Sequence, residues 1–372
     1  MYQKIFMRKY HNRRLNWSVC AGLLLLLSGS ACKKLYNLPD GKEYLSNKIN
    51  YDNKSIEPIL GRWGLHGGFN ADNSSFPMKF EIVNARYGDG RKVTDLFQVR
   101  PTYVWTAAYD GDETSLEQIE AKRKLEDHPL FEVRSSGEFM TWPSATDDLV
   151  EPRPSDSSKL AQDVRFFDLK VSNSGGTIVL KDFQYIPFRE RPYYPDNDIN
   201  HYTGAVARNP VAPNDPSQRD YIRPRLDNVF GVTTRIRLES NDNKKDVVAY
   251  IRPFAGGNGH NLRFKFLDKD SLPMNPALFN ETKWNLLVHG FNMQMTNEYV
   301  QYDVAYPIPL VTGLNTRWTN GGNARAEFRY SRKDFGGDLI TAMFGLDFRI
   351  YRAGDWEIVF HFRGDNPKFE DE

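Results

Sequence analysis

Cysteine is nearly missing from this 372-residue sequence, which contains only Cys20 and Cys32. Both lie close to the amino terminus, and the chain after Cys32 has no thiol at all. This excludes a disulfide framework, a zinc–thiolate cluster and a cysteine nucleophile from the remainder of the chain. The hydrophobic core alone must stabilise the fold.

Recognisable catalytic motifs are also missing. The seven histidines are scattered without an H-E-x-x-H pattern, and neither a G-x-S-x-G elbow nor a Walker loop occurs. The glycine cluster at 256–259 precedes no predicted helix, which favours a tight turn over a phosphate cradle. No catalytic residue and no cofactor are predicted, and the protein is more simply a binding protein than an enzyme. A catalytic carboxylate pair stays open, because 48 acidic residues offer no basis for choosing two.

An incomplete calcium-loop pattern begins at Asp196, with Asp198 and Asn200 at the expected spacing. However, His201 stands where such a loop needs glycine, and Ala207 stands where it needs glutamate. No metal site is therefore predicted, although a non-helical calcium site stays open.

The sequence has no apolar run long enough to span a bilayer, since residues 19–27 fall well short of roughly 20 residues. This run follows five basic and no acidic residues, and it precedes small residues and Cys32. The pattern predicts a signal peptide over residues 1–31 and a lipoprotein whose Cys32 carries the lipid, such as palmitate. Gly29 occupies the usual leucine position of a lipobox, so ordinary secretion and an uncut anchor remain alternatives.

The mature chain lacks a basic surface charge. Five of the 49 basic residues lie before Cys32 and all 48 acidic residues lie after it, which gives the mature chain a net charge of −4. Nucleic-acid binding usually requires a basic face and is not predicted. Residues 32–58 contain few apolar side chains and are predicted to form a lipid-anchored tether.

Two antiparallel β-sandwich domains are predicted, over residues 59–190 and 229–368. Aromatic residues make up 13% of the chain and favour strands, and apolar and polar residues alternate in many short runs. The clearest hairpin covers residues 167–185, and residues 232–238 are predicted to form a strand. The fold class is mainly β, with immunoglobulin-like or jelly-roll sandwiches. Residues 191–228 are rich in proline and form either a linker or a functional loop.

One short helix is predicted in the first domain, over residues 115–127. Thr114 and Ser115 both begin capping boxes, and Pro129 follows the segment.

Flat aromatic rings in loops or at strand ends are candidate contacts for a sugar, and the loop at 315–323 adds amides that bind hydroxyl groups. The alternative is that these rings close the ends of the sandwiches. Trp105 and Trp356 lie in strand patterns and are predicted to be core. The candidate ligand-binding residues are Tyr193, Tyr194, Trp318 and Trp142.

Several phrases of the sequence resemble a family of Bacteroidota lipoproteins catalogued as a domain of unknown function. They are Leu-Val-His-Gly-Phe-Asn-Met at 287–293, Tyr-Asp-Val-Ala-Tyr-Pro-Ile-Pro-Leu at 302–310, Val-Ser-Asn-Ser-Gly-Gly at 171–176, Arg-Glu-Arg-Pro-Tyr at 189–193 and Gly-Asp-Trp-Glu-Ile at 354–358. The resemblance implies no activity or catalytic residue. It implies a setting beside outer-membrane glycan-uptake systems of the starch-utilisation type.

We expect a lipid-anchored protein of the outer membrane or cell surface that binds a glycan or glycoconjugate without cleaving it. One alternative is a β-sandwich glycoside hydrolase or lyase. Another is an accessory subunit that docks on an outer-membrane transporter, for which a large apolar patch on a solvated sheet would speak.

Overall fold

The computed structural model describes residues 41, 43–152, 164–201, 203–207, 219–334 and 336–370. The predicted signal peptide, Cys32 and the first part of the tether lie outside these residues. The described residues are mainly β, as predicted, and none of their helices has the length or apolar character to cross a bilayer. The helices are α1 (Leu116–Glu120) and the 3-10 helices Asp95–Phe97, Pro276–Leu278 and Trp284–Leu286.

The strands fall into two groups along the chain. Those of the N-terminal unit are β1 (Asn50–Tyr51), β2 (Ser55–Ile56), β3 (Gly64–His66), β4 (Phe69–Asn70), β5 (Lys79–Tyr87), β6 (Val99–Trp105), β7 (Arg123–Pro129), β8 (Phe131–Val133), β9 (Phe139–Thr141), β10 (Arg165–Asn173) and β11 (Gly176–Tyr185). Those of the C-terminal unit are β12 (Tyr193–Tyr194), β13 (Arg225–Asp227), β14 (Val247–Pro253), β15 (Asn261–Leu267), β16 (Gly290–Met295), β17 (Tyr299–Val304), β18 (Thr319–Asn320), β19 (Asn323–Lys333), β20 (Leu339–Ile350) and β21 (Trp356–Phe362).

The N-terminal unit packs a four-stranded sheet, in the order β2-β11-β10-β5, against a three-stranded sheet, β3-β9-β8. Aromatic rings fill the space between them. Phe139 of the smaller sheet lies 5.5 Å from both Phe167 and Phe183 of the larger one, measured between ring centroids, and all three are buried. Each such ring buries roughly 150–250 Å², so this cluster stabilises the unit without any disulfide.

The predicted hairpin is confirmed. β10 and β11 pair antiparallel from Arg165↔Tyr185 to Asn173↔Gly176. The side chain of Asn173 accepts a hydrogen bond from the backbone N–H of Gly175 at 2.9 Å, and this bond fixes the turn between the strands.

Residues 43–58, the last part of the predicted tether, are built into the N-terminal unit. Ile49, Tyr51 and Ile56 are buried in its core, and β2 pairs in parallel with β11. The folded part of the chain therefore begins before residue 59.

The predicted helix is right at its start and wrong at its end. The Ser115 hydroxyl accepts a hydrogen bond from the backbone N–H of Gln118, as a cap should, but the helix stops at Glu120 and residues 123–129 form β7. β7 pairs with β6 and places Leu125 opposite Tyr103. Beyond Ile119 the helical pattern has little apolar surface left to bury, and strand pairing satisfies the backbone instead.

The C-terminal unit is a sandwich of two five-stranded sheets. One has the order β12-β20-β19-β18 with β13 also paired to β20, and the other has the order β14-β21-β15-β17-β16. Phe266, Phe328, Phe344 and Phe360 are fully buried between them, with ring centroids 4.9–6.0 Å apart. Alternation places the neighbouring polar residues of these strands on the outer faces.

The predicted strand at 232–238 is absent from the described structure, which has a turn there. The backbone N–H groups of Thr233 and Thr234 both donate to the buried carboxylate of Asp365, at 2.9 and 2.7 Å, and Arg235 has a φ of 56°. A carboxylate that accepts hydrogen bonds from two successive backbone N–H groups stabilises a turn in preference to a paired strand. The alternation of residues in the sequence does not reveal these hydrogen bonds.

The described part of the proline-rich segment 191–228 covers one edge of the C-terminal sandwich. β12 and β13 both pair with β20, and Ile199, Tyr221 and Ile222 are buried. These residues add two edge strands to the sheet.

Candidate ligand-binding face

Strand β12 directs its two tyrosines to opposite sides of the sheet. Tyr193 pairs with Ile350 and faces the core, where 8% of its surface is exposed, whereas Tyr194 pairs with Arg349 and is 43% exposed. Successive side chains of a strand alternate between faces, so only Tyr194 offers its ring to a ligand.

The hydroxyl of the inward-facing Tyr193 is hydrogen-bonded to a buried aspartate. It donates to Oδ2 of Asp198 at 2.7 Å, and burial raises the pKa of Asp198 to about 6. The neighbouring Asp196 accepts from Arg191 at 2.9 Å and from Arg62 at 3.3 Å. This is where the structure places the calcium-loop pattern, and no group of residues suited to a metal occurs in the described ranges.

A row of polar side chains crosses the outer face of the sheet from Tyr194. Arg349 is its neighbour on β20, and Nε of Arg349 donates to Oδ1 of Asn323 at 2.7 Å. Asn323 in turn pairs with Asn320 on β18. Residues that share a register row point to the same face. We call this set, Tyr194, Arg349, Asn323 and Asn320, the Tyr194 row.

A tight hairpin turn aligns the two asparagines. Gly321 and Gly322 have φ values of 56° and 78°, which a two-residue hairpin of this type requires and glycine adopts without strain. The turn joins β18 directly to β19, so the amides of Asn320 and Asn323 lie on a rigid edge.

The next positions on this face are occupied by ion pairs. The carboxylate of Asp347 accepts from Nε and Nη2 of Arg325 at 2.7 and 3.1 Å, and Arg225 lies 3.6 Å away. Burial alone would raise the pKa of Asp347, but these two guanidinium groups, together with the amide of Asn320, outweigh it and hold the pKa below its usual range. Asp347 is therefore ionised at neutral pH.

Trp318 lies at the junction of the two units. Its indole N–H donates to the carbonyl of Gly111 at 2.7 Å, and its ring lies flat on the imidazole of His289, with centroids 4.8 Å apart. Arg317 also stands over the indole, 4.7 Å from its centroid. The ring joins the units together and adds little free face for a ligand.

A tyrosine and a histidine complete this junction. Nε2 of His289 lies 2.8 Å from the carbonyl of Glu113, and Nδ1 lies 2.6 Å from the hydroxyl of Tyr109. Because a carbonyl only accepts, Nε2 carries the proton and Nδ1 accepts from the tyrosine. Burial lowers the pKa of His289 and raises that of Tyr109, so both are neutral at physiological pH. The apolar cavity beside them holds about 20 Å³, room for a water and not for a sugar.

Trp142 belongs to the N-terminal unit. It is buried, its ring centroid lies 4.2 Å from that of His128, and its indole N–H donates to Glu132 at 3.0 Å. The four aromatic residues named from the sequence thus lie in different places, and only Tyr194 stands on an open face. The alternation of residues in β20 predicts that Arg349 lies on the solvent-exposed face. Its position beside Tyr194 depends on the pairing of β12 with β20, which the alternation does not reveal.

The sequence pattern of the DUF5007 family, described as a domain of unknown function, matches residues 69–371. No curated protein matches the chain. No solved structure matches it either.

Proposed function

We propose that this chain, which belongs to the DUF5007 family, binds a glycan or glycoconjugate without cleaving it, on the outer face of its C-terminal sandwich. The proposed lipid on Cys32 holds it at the outer membrane, within a glycan-uptake system. The anchor is supported by the basic start, the short apolar run and the small residues before Cys32, and the setting by the resemblance in sequence.

The Tyr194 row is the observation that carries this proposal. An exposed phenol ring stacks on the apolar side of a sugar, and amide and guanidinium groups donate to hydroxyl oxygens. The row crosses four strands, a length of roughly 14 Å at the usual strand spacing. Groups on paired strands are positioned more rigidly than groups on loops, which lowers the entropic cost of binding.

Native affinity gels with a panel of polysaccharides test this function. The chain from residue 35 to 372 contains every residue that the structure describes and suits the assay. Retarded migration without released sugar supports a binding protein. Released sugar favours the hydrolase or lyase, and the absence of retardation by every polysaccharide rejects glycan binding.

One surface favours a second function, that of an accessory subunit docked on an outer-membrane transporter. The ribbon of β6 and β7 exposes Val99, Tyr103 and Leu125, each by more than half of its surface. Tyr103 and Leu125 are directly paired, so these two side chains form one apolar surface. Exposed apolar patches often mark protein interfaces. Recovery of a transporter with the protein from outer membranes tests this alternative.

A further inference from the structure

We propose that Arg349 binds the carboxylate of an acidic sugar, so that the ligand is an acidic polysaccharide. This inference rests on the proposed glycan binding and adds the chemical class of the ligand.

Among the residues that the structure describes, Arg349 has no acidic partner, unlike the other arginines of its face. Arg325 pairs with Asp347, Arg329 pairs with Glu327, and Arg225 lies within 4 Å of both carboxylates. Arg349 makes one hydrogen bond, through Nε to an amide oxygen, and no ion pair with any residue that the structure describes. Its two Nη groups therefore remain available to an anion.

The guanidinium is held ready for a ligand. The bond to Asn323 fixes Nε at 2.7 Å, and the side chain is half-buried, which limits its freedom before binding. A guanidinium edge matches the two oxygens of a carboxylate, and such bidentate pairs are among the strongest hydrogen bonds in proteins. Tyr194, the register partner of Arg349, adds an exposed ring beside the charge.

Paired polysaccharides that differ only in their charge isolate this contact. Polygalacturonate, alginate and hyaluronate are each compared with their methyl-esterified forms, which keep the sugar backbone and remove the anion. Dissociation constants are measured at a fixed ionic strength, because exposed charges are screened by salt. We expect the wild-type chain to bind at least one acidic form with a dissociation constant about tenfold or more below that of its ester. A charge-assisted hydrogen bond contributes a difference of this size.

The variants Arg349→Gln and Arg329→Gln change the net charge equally. Arg349→Gln should lower the affinity for the acidic form to that for the ester and leave the ester unaffected. Arg329→Gln, at a position paired with Glu327 and six residues from Asn323 on β19, should leave both affinities unchanged.

The two proposals fail in different ways. Equal affinity for acid and ester, equal effects of Arg349→Gln on both, or binding of neutral glycans alone overturns the role of Arg349 and leaves glycan binding in place. Absence of binding to every acidic and neutral polysaccharide overturns both.

Discussion

The indole of Trp318 lies parallel to the imidazole of His289, with ring planes 5° apart. The two residues belong to different loops of the C-terminal unit. Trp318 donates a hydrogen bond to the backbone carbonyl of Gly111, and His289 donates one to that of Glu113, both in the N-terminal unit. This arrangement fastens the N-terminal loop onto the C-terminal sandwich. Trp318, a candidate ligand contact in the sequence, thus lies between the two units.

Removal of one hydroxyl should loosen this junction. Tyr109→Phe leaves Nδ1 of His289 buried without its donor, and we expect the free energy of unfolding to fall by about 1–3 kcal/mol. Urea denaturation measures the loss. Tyr44→Phe, at a ring that is 58% exposed, is the matched control and should change stability little. Equal stability of both variants would contradict this role of the Tyr109 hydroxyl.

The buried Asp198 should make stability depend on pH. Its pKa is 3.8 in the unfolded chain and about 6 in the folded protein, so its ionisation costs nothing below about pH 4 and an increasing amount as the pH rises to about 6. Above that pH the cost is constant, at about 3 kcal/mol.

Asp198→Asn keeps an acceptor for Tyr193 and removes the charge. Its stability relative to the wild type should therefore increase by about 3 kcal/mol between about pH 4 and about pH 8. Urea denaturation at several pH values measures this difference, with the exposed Asp338→Asn as the control. A difference that does not vary with pH would show that Asp198 does not titrate in this range.

The ion pair of Arg165 and Asp95 should matter far more than an exposed pair. Arg165 is fully buried, its Nε donates to Oδ2 of Asp95 at 3.0 Å, and its Nη1 donates to the carbonyl of Glu151. Arg165→Met removes the fully buried guanidinium and leaves the partly buried carboxylate of Asp95 without its cation, which should destabilise the protein by about 3–5 kcal/mol.

The same change at an exposed ion pair provides the comparison. Arg91 pairs with Asp89 on the surface, and Arg91→Met should cost less than about 1 kcal/mol. Denaturation curves that give both variants the same loss would refute the importance of burial here.

Tyr194→Ala should weaken glycan binding about tenfold or more while leaving the fold intact, because the ring stands outside the core. The loss is read from affinity gels or calorimetry with the polysaccharide that the wild-type chain retains. Tyr44→Ala, which removes a similarly exposed ring from the N-terminal unit, should have no effect. If Tyr194→Ala binds as well as the wild type, the Tyr194 row is not the site.

A charge on the β6–β7 ribbon should abolish docking if the accessory function holds. Tyr103→Glu combined with Leu125→Lys replaces two exposed apolar side chains by a cross-strand pair of opposite charge, so stability should change little while recovery with outer-membrane proteins is lost. Leu339→Glu, at an exposed leucine of the other unit, is the control. Unchanged recovery would exclude this face as the interface.

Alternation in the sequence predicted the strands whose two faces meet different surroundings. In β19, Ala326, Phe328 and Tyr330 are buried while Arg325 and Glu327 face outward. The hairpin of β10 and β11 was predicted for the same reason. A strand with one solvent-exposed face and one buried face has polar and apolar residues at alternate positions.

The sequence was less informative where contacts distant along the chain decide the structure. Trp105 was predicted to be core, but it is 39% exposed because β6 pairs only with β7 among the described strands. Arg349 was not a candidate, since its partnership with Tyr194 and Asn323 depends on the pairing of separate strands. A charged residue in an alternating strand predicts that one face of the strand is exposed to solvent. It does not predict which side chains of other strands lie beside it on that face.

The parallel attachment of β2 to β11 has a mechanical consequence. Residues 54–60 and 184–188 exchange four backbone hydrogen bonds of 2.7–3.0 Å. The backbone N–H of Glu43 donates a further hydrogen bond to the hydroxyl of Ser174. A lipid on Cys32 would leave only ten residues before Glu43, a reach of roughly 40 Å when fully extended. Force applied through the anchor would then reach the hydrogen bonds of Glu43 and β1 first, and those between β2 and β11 after them. The fold would take up tension from the membrane at its own first strands.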